Sequence, residues 1–547
     1  MGIRFRPGDT VDFVVVGSGA AGGIVAKELA AAGHTVVVLE QGPRREARDF
    51  EHDELKTFIL GDLSNDPVRH PVTFRRTEAD PAVAGTSILL YHRLVGGGSV
   101  MFSGNYWRFR ESDFQERARS GLASTGLADW PITYADLEPY YTKAEWELGV
   151  SGAPGPFEPP RSRPYPLPPL PAKSSGVLFE QGARALGLHP QPSPLAILSR
   201  PYNGRLACQH CGYCLGFGCE YGAKSSTLAT VIPTAEATGR CEVRPDSFAC
   251  RIETDRAGRA TGVVYLDLRK REHLQRARAV VLCCNGIETP RLLLLSTSAR
   301  FPRGLANSSG VVGKYLMFNG LTSASGVFEH PLNEFKSVMA TRVLFDYYET
   351  DPRRGFYGGG ALDARAFVYP ALFAASAMPP DAPSWGAEYK RLLSEYFTRT
   401  MSVTGHSTSV PLETNSVSLD DETKDVWGLP AIRVTYADHP DDVSMMGFLQ
   451  DRAVEVLEAA GARRIWRTTA EQARSYITHM LGTCRMGADP RTSVVDPDHR
   501  AHDVRNLFIC DGSSLVTGGR GQPTATIQAL AYRAGERIAG LARRGEI

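Results

Sequence analysis

The run VDFVVVGSGAAGGIVAKELAAAGHTVVVLEQG, from Val11 to Gly42, narrows the choice of folds more than any other stretch of the chain. A valine-rich segment over Val11–Val16 stops at Gly17-Ser18-Gly19-Ala20-Ala21-Gly22. A helix-forming segment continues to Ala32, and a second apolar run, Val36–Leu39, ends at Glu40-Gln41. Strand, glycine turn, helix, strand and acid, in that order, are the unit that holds a dinucleotide at the end of a parallel sheet. Gly17 permits the tight turn, Gly19 lets a pyrophosphate approach the backbone, and Gly22 lets helix and strand pack closely. The helix start offers free N–H groups and a positive dipole end to the phosphates. Glu40 follows Gly22 by 18 residues, where a carboxylate accepts from ribose hydroxyls and repels a 2′-phosphate. Gly17, Ser18, Gly19, Ala20, Gly22, Glu40 and Gln41 are therefore the expected cofactor contacts at this end of the chain.

A chain of 547 residues has room for about two to four domains. Sixty-one basic against 60 acidic side chains give no electrostatic reason to expect nucleic acid or an anionic membrane as partner. No apolar run reaches the length of about 18 residues that a membrane span needs. The opening MGIRFRPGDTVDF lacks the apolar core of an export signal. The expected location is cytoplasmic by the chain's own sequence, or periplasmic or membrane-associated if a signal-bearing partner carries it out.

Further along, Leu94-Val95-Gly96-Gly97-Gly98-Ser99 places three glycines after an apolar pair, so backbone there passes close to something flat or charged. Thr133 is a natural N-cap for a helix through Glu147. Nine prolines in the 18 residues Pro154–Pro171 exclude helix and central strand and predict an extended strap between domains. Glu242–Thr254 and Gly262–Leu268 read as strands, and Ala279–Cys284 as a buried parallel strand. Thr289-Pro290 reads as N-cap and first residue of a helix. Residues 311–440 read mostly as short strands and turns, with a hairpin from Ser416–Leu419 to Ala431–Tyr436. Asp441 opens a helix that ends at Gly461. Near the end, the apolar run Leu507–Cys510 meets Asp511-Gly512, and Pro523-Thr524 starts a last helix to about Arg543. This second strand-to-helix junction is another place to hold a polar cofactor, so the two ends of the chain build one domain around an inserted second one.

Together these landmarks resemble the glucose–methanol–choline (GMC) family of FAD-dependent oxidoreductases. The resemblance rests on Gly17–Gly22 with Glu40, the Val95–Ser99 loop, Asp129–Leu137, Cys284–Leu295 and His479–Ala531, and so covers nearly the whole chain. It implies an α/β fold: a Rossmann-like FAD-binding domain with a discontinuous α+β substrate domain built on an antiparallel sheet. The implied division is 1–110, 201–310 and 471–547 for the FAD-binding domain and 111–200 and 311–470 for the substrate domain. It adds Gly97, Gly98, Ser99, Asp511, Gly512 and Thr524 to the cofactor contacts. Two departures stand out. Members that hold FAD covalently use a histidine where this chain has Met101, so the expected FAD is noncovalent. Where the family has Asn-Pro-Thr or a second histidine, this chain has Gln522-Pro523-Thr524, whose longer arm places the same hydrogen bonds differently.

His479 corresponds to the family's catalytic base. A neutral imidazole, with an ordinary pKa near about 6.5, is suited to take a hydroxyl proton as the C–H hydride leaves. Gln522 then holds the forming alkoxide, and the helix start at Pro523 aims its positive end at the flavin edge that gains negative charge. His406 and His502 read as structural or substrate-contacting.

Cys208, Cys211, Cys214 and Cys219 fall within twelve residues. Disulfides would need an oxidising compartment, and a zinc site built from four cysteines usually has two knuckles farther apart. An iron–sulfur cluster suits three closely spaced cysteines with a fourth nearby. The resemblance points to the bacterial sugar-dehydrogenase branch (glucoside 3-dehydrogenase, glucose and gluconate dehydrogenase catalytic subunits) and implies a [3Fe-4S] cluster relaying electrons. The other six cysteines read as buried small hydrophobes. The implied activity is oxidation of a secondary alcohol of a sugar or glycoside, most like the 3-hydroxyl, with a small export or assembly subunit and a cytochrome-type acceptor as partners. Two rival readings remain: an oxygen-using sugar or C-glycoside oxidase with structural cysteines, and a noncatalytic flavoprotein partner.

Overall fold

Valine at nearly every position of Thr10–Val16 and Val36–Leu39 leaves neither strand a polar face, so both must lie in the middle of a covered sheet. They do so in the computed structural model, which describes residues 4–64, 66–84, 89, 91–120, 122, 125–332, 336–366, 369–469 and 478–547. The first sheet has seven strands. Its order runs Cys241–Arg244, Val36–Leu39, Thr10–Val16, Glu272–Leu282, Ala260–Leu266 and Phe248–Thr254, with Leu507–Ile509 also paired to Glu272–Leu282. The pairings among the first four strands and to Leu507–Ile509 are parallel. Ala260–Leu266 and Phe248–Thr254 add an antiparallel meander. Helices Gly22–Ala31 and Thr524–Arg543 cover one face, where Ile24, Val25 and Leu29 meet Tyr532 and Ile538 in one buried cluster. The N- and C-terminal ends of the chain thus share this sheet and its cover.

The second sheet is antiparallel throughout, in the order Arg464–Arg467, Gly320–Val327, Thr400–Ser407, Gly360–Ala366, Ala340–Leu344, Gln191–Pro192. Helix Pro440–Ala459 packs on it through Met445, Leu449, Ala453, Val456 and Leu457 against Ala324, Leu362, Met401 and Val403. A third, four-stranded sheet joins the hairpin Ser416–Lys424 and Pro430–Thr435 to Val72–Arg75 and Val83–Ala84. The expected α/β architecture with an antiparallel second sheet is what forms. The domain division proposed at 470/471 falls outside the described residues.

Most expected elements stand close to their predicted limits. Thr133 caps helix Tyr134–Leu148 in a reciprocal capping box with Asp136. The proline-rich strap lies along that helix: Tyr134 Oη donates to Pro160 O at 2.6 Å and Trp146 Nε1 to Pro164 O at 3.1 Å. Three readings need correction. Glu242–Thr254 is two strands, because Pro245 has no N–H to give a ladder and Asp246 turns the backbone with φ 52°. Thr289 does not cap its helix, which spans Glu288–Leu295: Asn285 Oδ1 accepts from the N–H groups of Ile287 and Glu288 at 2.8 Å, while the Thr289 hydroxyl donates to Asp511. Helices Pro370–Ser376 and Gly386–Phe397 interrupt the region read as strands and turns.

Candidate active site

The strand Thr10–Val16 ends beside Cys283, and this crowding explains its glycines. Gly17 has φ +91°, and a Cβ there would sit 2.5 Å from Cys283 O. A Cβ on Gly22 would lie 1.9 Å from Gly17 O, so any side chain would drive the first helix off the strand. The second glycine loop abuts the first: a Cβ on Gly97, itself at φ +52°, would lie 2.9 Å from Gly19 Cα. Ser18 stitches the two loops together, donating from Oγ to Glu40 Oε2 at 2.7 Å and accepting from Gly96 N–H at 3.0 Å. Glu40 also accepts from Ser18 N–H at 3.1 Å and Gly42 N–H at 3.0 Å. Its burial still pushes its carboxyl pKa up.

A cavity of about 1370 Å³ opens in front of these loops, larger than the roughly 300–1,000 Å³ of ordinary small-molecule sites. Gly17, Gly19, Ala20, Glu40 and Gln41 line one part of it. Gly97, Gly98 and Ser99 form a second wall, and Asp511, Gly512 and Thr524 a third. The remaining two predicted cofactor residues, Ser18 and Gly22, stand behind the wall and shape it. The residues fit an extended dinucleotide on three observations. The backbone is bare of side chains at both glycine loops. Helices Gly22–Ala31 and Thr524–Arg543 start without a side-chain cap, leaving N–H groups for a ligand. Gln41 Oε1 is buried with no partner. Asp511, at the end of the last strand, accepts from Thr289 Oγ1 at 2.6 Å and Ser513 N–H at 2.7 Å.

His479 and Gln522 line the same cavity, next to Pro523 and Thr524 at the start of the last helix. Burial lowers the His479 pKa to about 3, helped by His406 and Arg365 nearby, so the ring is neutral and one ring nitrogen carries a lone pair. Three further residues join them: His406, read from the sequence as structural or substrate-contacting, and Arg365 and Asn319, which the sequence did not single out. His406 and Arg365, on neighbouring strands of the second sheet, line the cavity, as does Asn319, whose Oδ1 is buried and unpartnered. Nothing local marks Arg365 or Asn319: Arg365 meets His406 across 41 residues, and Asn319 meets Gly518 across 199. His502 instead bonds Ser493 Oγ at 2.9 Å and is not among the residues lining the cavity.

The four clustered cysteines occupy one irregular loop that backs onto Met101 and Phe102, which follow the second glycine loop (the expected flavin loop). Gly212, Leu215 and Gly216 of this loop line the cavity and the thiols do not. Gly216 N–H donates to Met101 O at 2.7 Å. Lys224, 2 % exposed, donates to Phe102 O at 2.9 Å, Cys214 O at 2.5 Å and Phe217 O at 2.7 Å. All ten cysteines are free thiols, so the disulfide reading is not what this loop adopts. Burial pushes Cys208 up to about 11 and Cys214 up to about 12, and the neighbouring thiols raise both further. His210 N–H donates to Cys208 Sγ at 3.4 Å. Among the described residues no three His, Cys, Asp or Glu side chains are gathered as a ready metal site. The donors match a sulfur-ligated group in kind but are not gathered to hold one.

The chain's relatives agree with this geometry. The N-terminal model of the GMC oxidoreductases matches residues 11–317 and the C-terminal model residues 411–531. A 2-methyl-1,2-propanediol dehydrogenase of Mycolicibacterium austroafricanum is 36% identical over 97% of this chain and 95% of its own. A paromamine 6′-oxidase of Streptomyces fradiae is 32% identical over 97% and 91%, and a gluconate 2-dehydrogenase flavoprotein of Pantoea cypripedii 29% over 95% and 92%. Among solved structures, a formate oxidase variant of Aspergillus oryzae superposes with a TM-score of 0.68 at 16% identity, covering 98% of this chain and 100% of that one. A pyridoxine 4-oxidase gives 0.65 at 18%, covering 97% and 99%; at such identities the likeness is one of fold. The chain belongs to the GMC oxidoreductase family, FAD-dependent enzymes that act on CH–OH groups.

Proposed function

We propose that this enzyme is a dehydrogenase that oxidises a secondary alcohol of a sugar or glycoside to a ketone, with the 3-hydroxyl as the first position to test. The observation that carries the reading is the convergence of His479, Gln522 and the uncapped start of the last helix in one cavity with the two glycine loops. FAD, when bound, supplies the two-electron acceptor for the C–H hydrogen. His479 takes the hydroxyl proton, the kind of help worth about 10²–10⁴-fold. Gln522 donates to the substrate oxygen as its negative charge develops, and the helix start at Thr524 favours negative charge beside it. Met101, at the slot of the covalent histidine, carries no ring nitrogen, in keeping with noncovalent FAD. The FAD-binding domain comprises 1–110, 201–310 and 471–547 in this reading, and the substrate domain the rest.

Cys208, Cys211, Cys214 and Cys219 are assigned to an iron–sulfur cluster, [3Fe-4S] in the first instance, three of them ligating. The cluster would supply a one-electron exit beside the flavin. Supporting this are the free thiols, the loop's direct attachment to Met101 and Phe102, and the buried ammonium of Lys224 behind it. The name of one relative, a fructose dehydrogenase large subunit from Gluconobacter japonicus that is 28% identical, favours a further subunit here; a cytochrome-type acceptor is the partner that single-electron exit would call for. Among the described residues no helix is long and apolar enough to cross a membrane.

The purified protein's visible spectrum, iron content and anaerobic flavin reduction by a panel of glycosides test the whole reading. Flavin bands over a broad iron–sulfur absorption, bleached by a glycoside whose product is the 3-ketone, are expected. Iron-free protein that makes peroxide would replace the relay with an oxidase. A flavin that no sugar or alcohol reduces would leave a noncatalytic flavoprotein.

A further inference from the structure

Asparagine is the usual amide at the position of Gln522 in the family this chain resembles, and glutamine brings one more rotatable bond to order. A longer arm serves as an oxygen-holding group only if something fixes its amide plane. The second sheet supplies a candidate. Asp363, fully buried, accepts from Arg365 Nε at 2.7 Å and Nη2 at 3.0 Å, and from Asn105 Nδ2 at 3.2 Å. His406 Nε2 lies 3.1 Å from the same carboxylate and 2.9 Å from Arg365 Nη2. In the tautomer with the hydrogen on Nε2, that hydrogen goes to Asp363, a carboxylate that only accepts, and Nδ1 keeps its lone pair; the Arg365 Nη2 approach is then a close contact of two donors and not a hydrogen bond. Desolvation lowers the His406 pKa, which keeps the ring neutral and its one acceptor available. That acceptor faces Gln522 Nε2 at 3.3 Å.

The packing leaves the imidazole little freedom. The edge of Trp107 meets it at a centroid distance of 5.3 Å and 89°. Gly521, with φ +142°, presses onto the same pair: a Cβ there would lie 2.7 Å from Trp107 Cζ3 and 3.6 Å from His406 Cβ. Asp363 and His406 come from adjacent antiparallel strands whose register pairs Ala361 with His406 and Asp363 with Thr404. The sheet itself thus sets the distance from carboxylate to imidazole.

We propose that His406, in this tautomer, is a positioning residue: held by Asp363, which Arg365 anchors, it captures one N–H of Gln522 and so turns the other N–H toward the substrate oxygen. This rests on the reading of Gln522 as the group that holds that oxygen. His406 acts through Gln522, which distinguishes it from His479, the proton acceptor.

A double-mutant cycle tests this in the FAD-loaded protein, with flavin content and thermal midpoint checked for each variant. His406→Leu should slow the limiting rate of anaerobic flavin reduction roughly ten- to hundredfold, with substrate affinity changed less than the rate. In the Gln522→Ala background the same change should cost less than about twofold, because the group it positions is gone. His406→Asn, which keeps a polar group near the Nδ1 position, should recover part of the loss and stands in if the leucine variant does not load FAD. Equal fold losses in both backgrounds would overturn the proposal. A crystal structure of the variant separates this from the functional reading: Gln522 should lose its single conformation. An unchanged, ordered Gln522 side chain overturns the positioning role whether or not any sugar reduces the flavin. A wild-type flavin that stays oxidised with an untethered Gln522 in the variant would overturn the functional reading alone.

Discussion

Replacing Lys224 by methionine keeps the length and most of the apolar stem but removes the ammonium that ties the cysteine loop to the flavin loop. Three carbonyls lose their donor: Phe102 O, Cys214 O and Phe217 O. Hydrogen bonds to a charged group are worth about 1.5–3 kcal/mol each, and a stranded buried carbonyl adds its own desolvation cost. Working the other way, methionine no longer needs an ammonium stripped of water, a penalty of several kcal/mol. No carboxylate hydrogen-bonded to Lys224 offsets that penalty, its three acceptors being carbonyl oxygens. The balance is a net loss of about 2–4 kcal/mol for Lys224→Met. Urea unfolding followed by flavin release and circular dichroism measures it, and thiol labelling should find the loop cysteines more reactive in the variant. An unfolding free energy within about 0.5 kcal/mol of wild type, the range of an ordinary surface change, would refute the bridging role.

Gly22→Ala places a methyl 1.9 Å from Gly17 O; the protein should purify with little FAD, and a full flavin complement would contradict the cradle as described. Cys214→Ser should leave flavin reduction by substrate intact while slowing transfer to one-electron acceptors, and unchanged acceptor turnover would make the cysteines structural. Burial holds His70 at about 2, His479 at about 3, and His92 and His499 at about 4. An unfolded chain protonates all four near about pH 6.5, so it binds more protons than the native state below that pH. Their contribution is complete above pH 6.5 and is lost as the pH falls toward 4. The thermal midpoint should therefore drop between pH 7 and pH 5, and a flat profile would contradict it.

What could be read from the chain depended on how local the deciding interaction is. Gly17, Gly22 and the flanking valines have one packing solution, and the folded strand, turn and helix follow it closely. Thr133 found its capping partner three residues away, again a local matter. Thr289 was misread because its hydroxyl is taken by Asp511, 222 positions on, and Asn285 caps in its place. Pro245 and Asp246 could have split the strand read over Glu242–Thr254, had their missing donor and turn tendency been weighed against the flanking apolar run. His406 offered no local signal, since its meaning comes from Asp363 and Gln522, 43 and 116 positions away. The cysteine spacing announces sulfur chemistry, whereas the loop's seat behind Met101 and Phe102 depends on Lys224 and the flavin loop together.

The account depends on a neutral imidazole at position 479 taking the hydroxyl proton while the cavity holds FAD. Anaerobic stopped-flow reduction of the flavin by a glycoside, comparing wild type with His479→Ala at matched flavin content, puts that to the question. The account predicts a rate lower by roughly several hundredfold, inside the 10²–10⁴ span of general-base help, with FAD still bound. Reduction at close to the wild-type rate would contradict it and remove His479 from the chemistry.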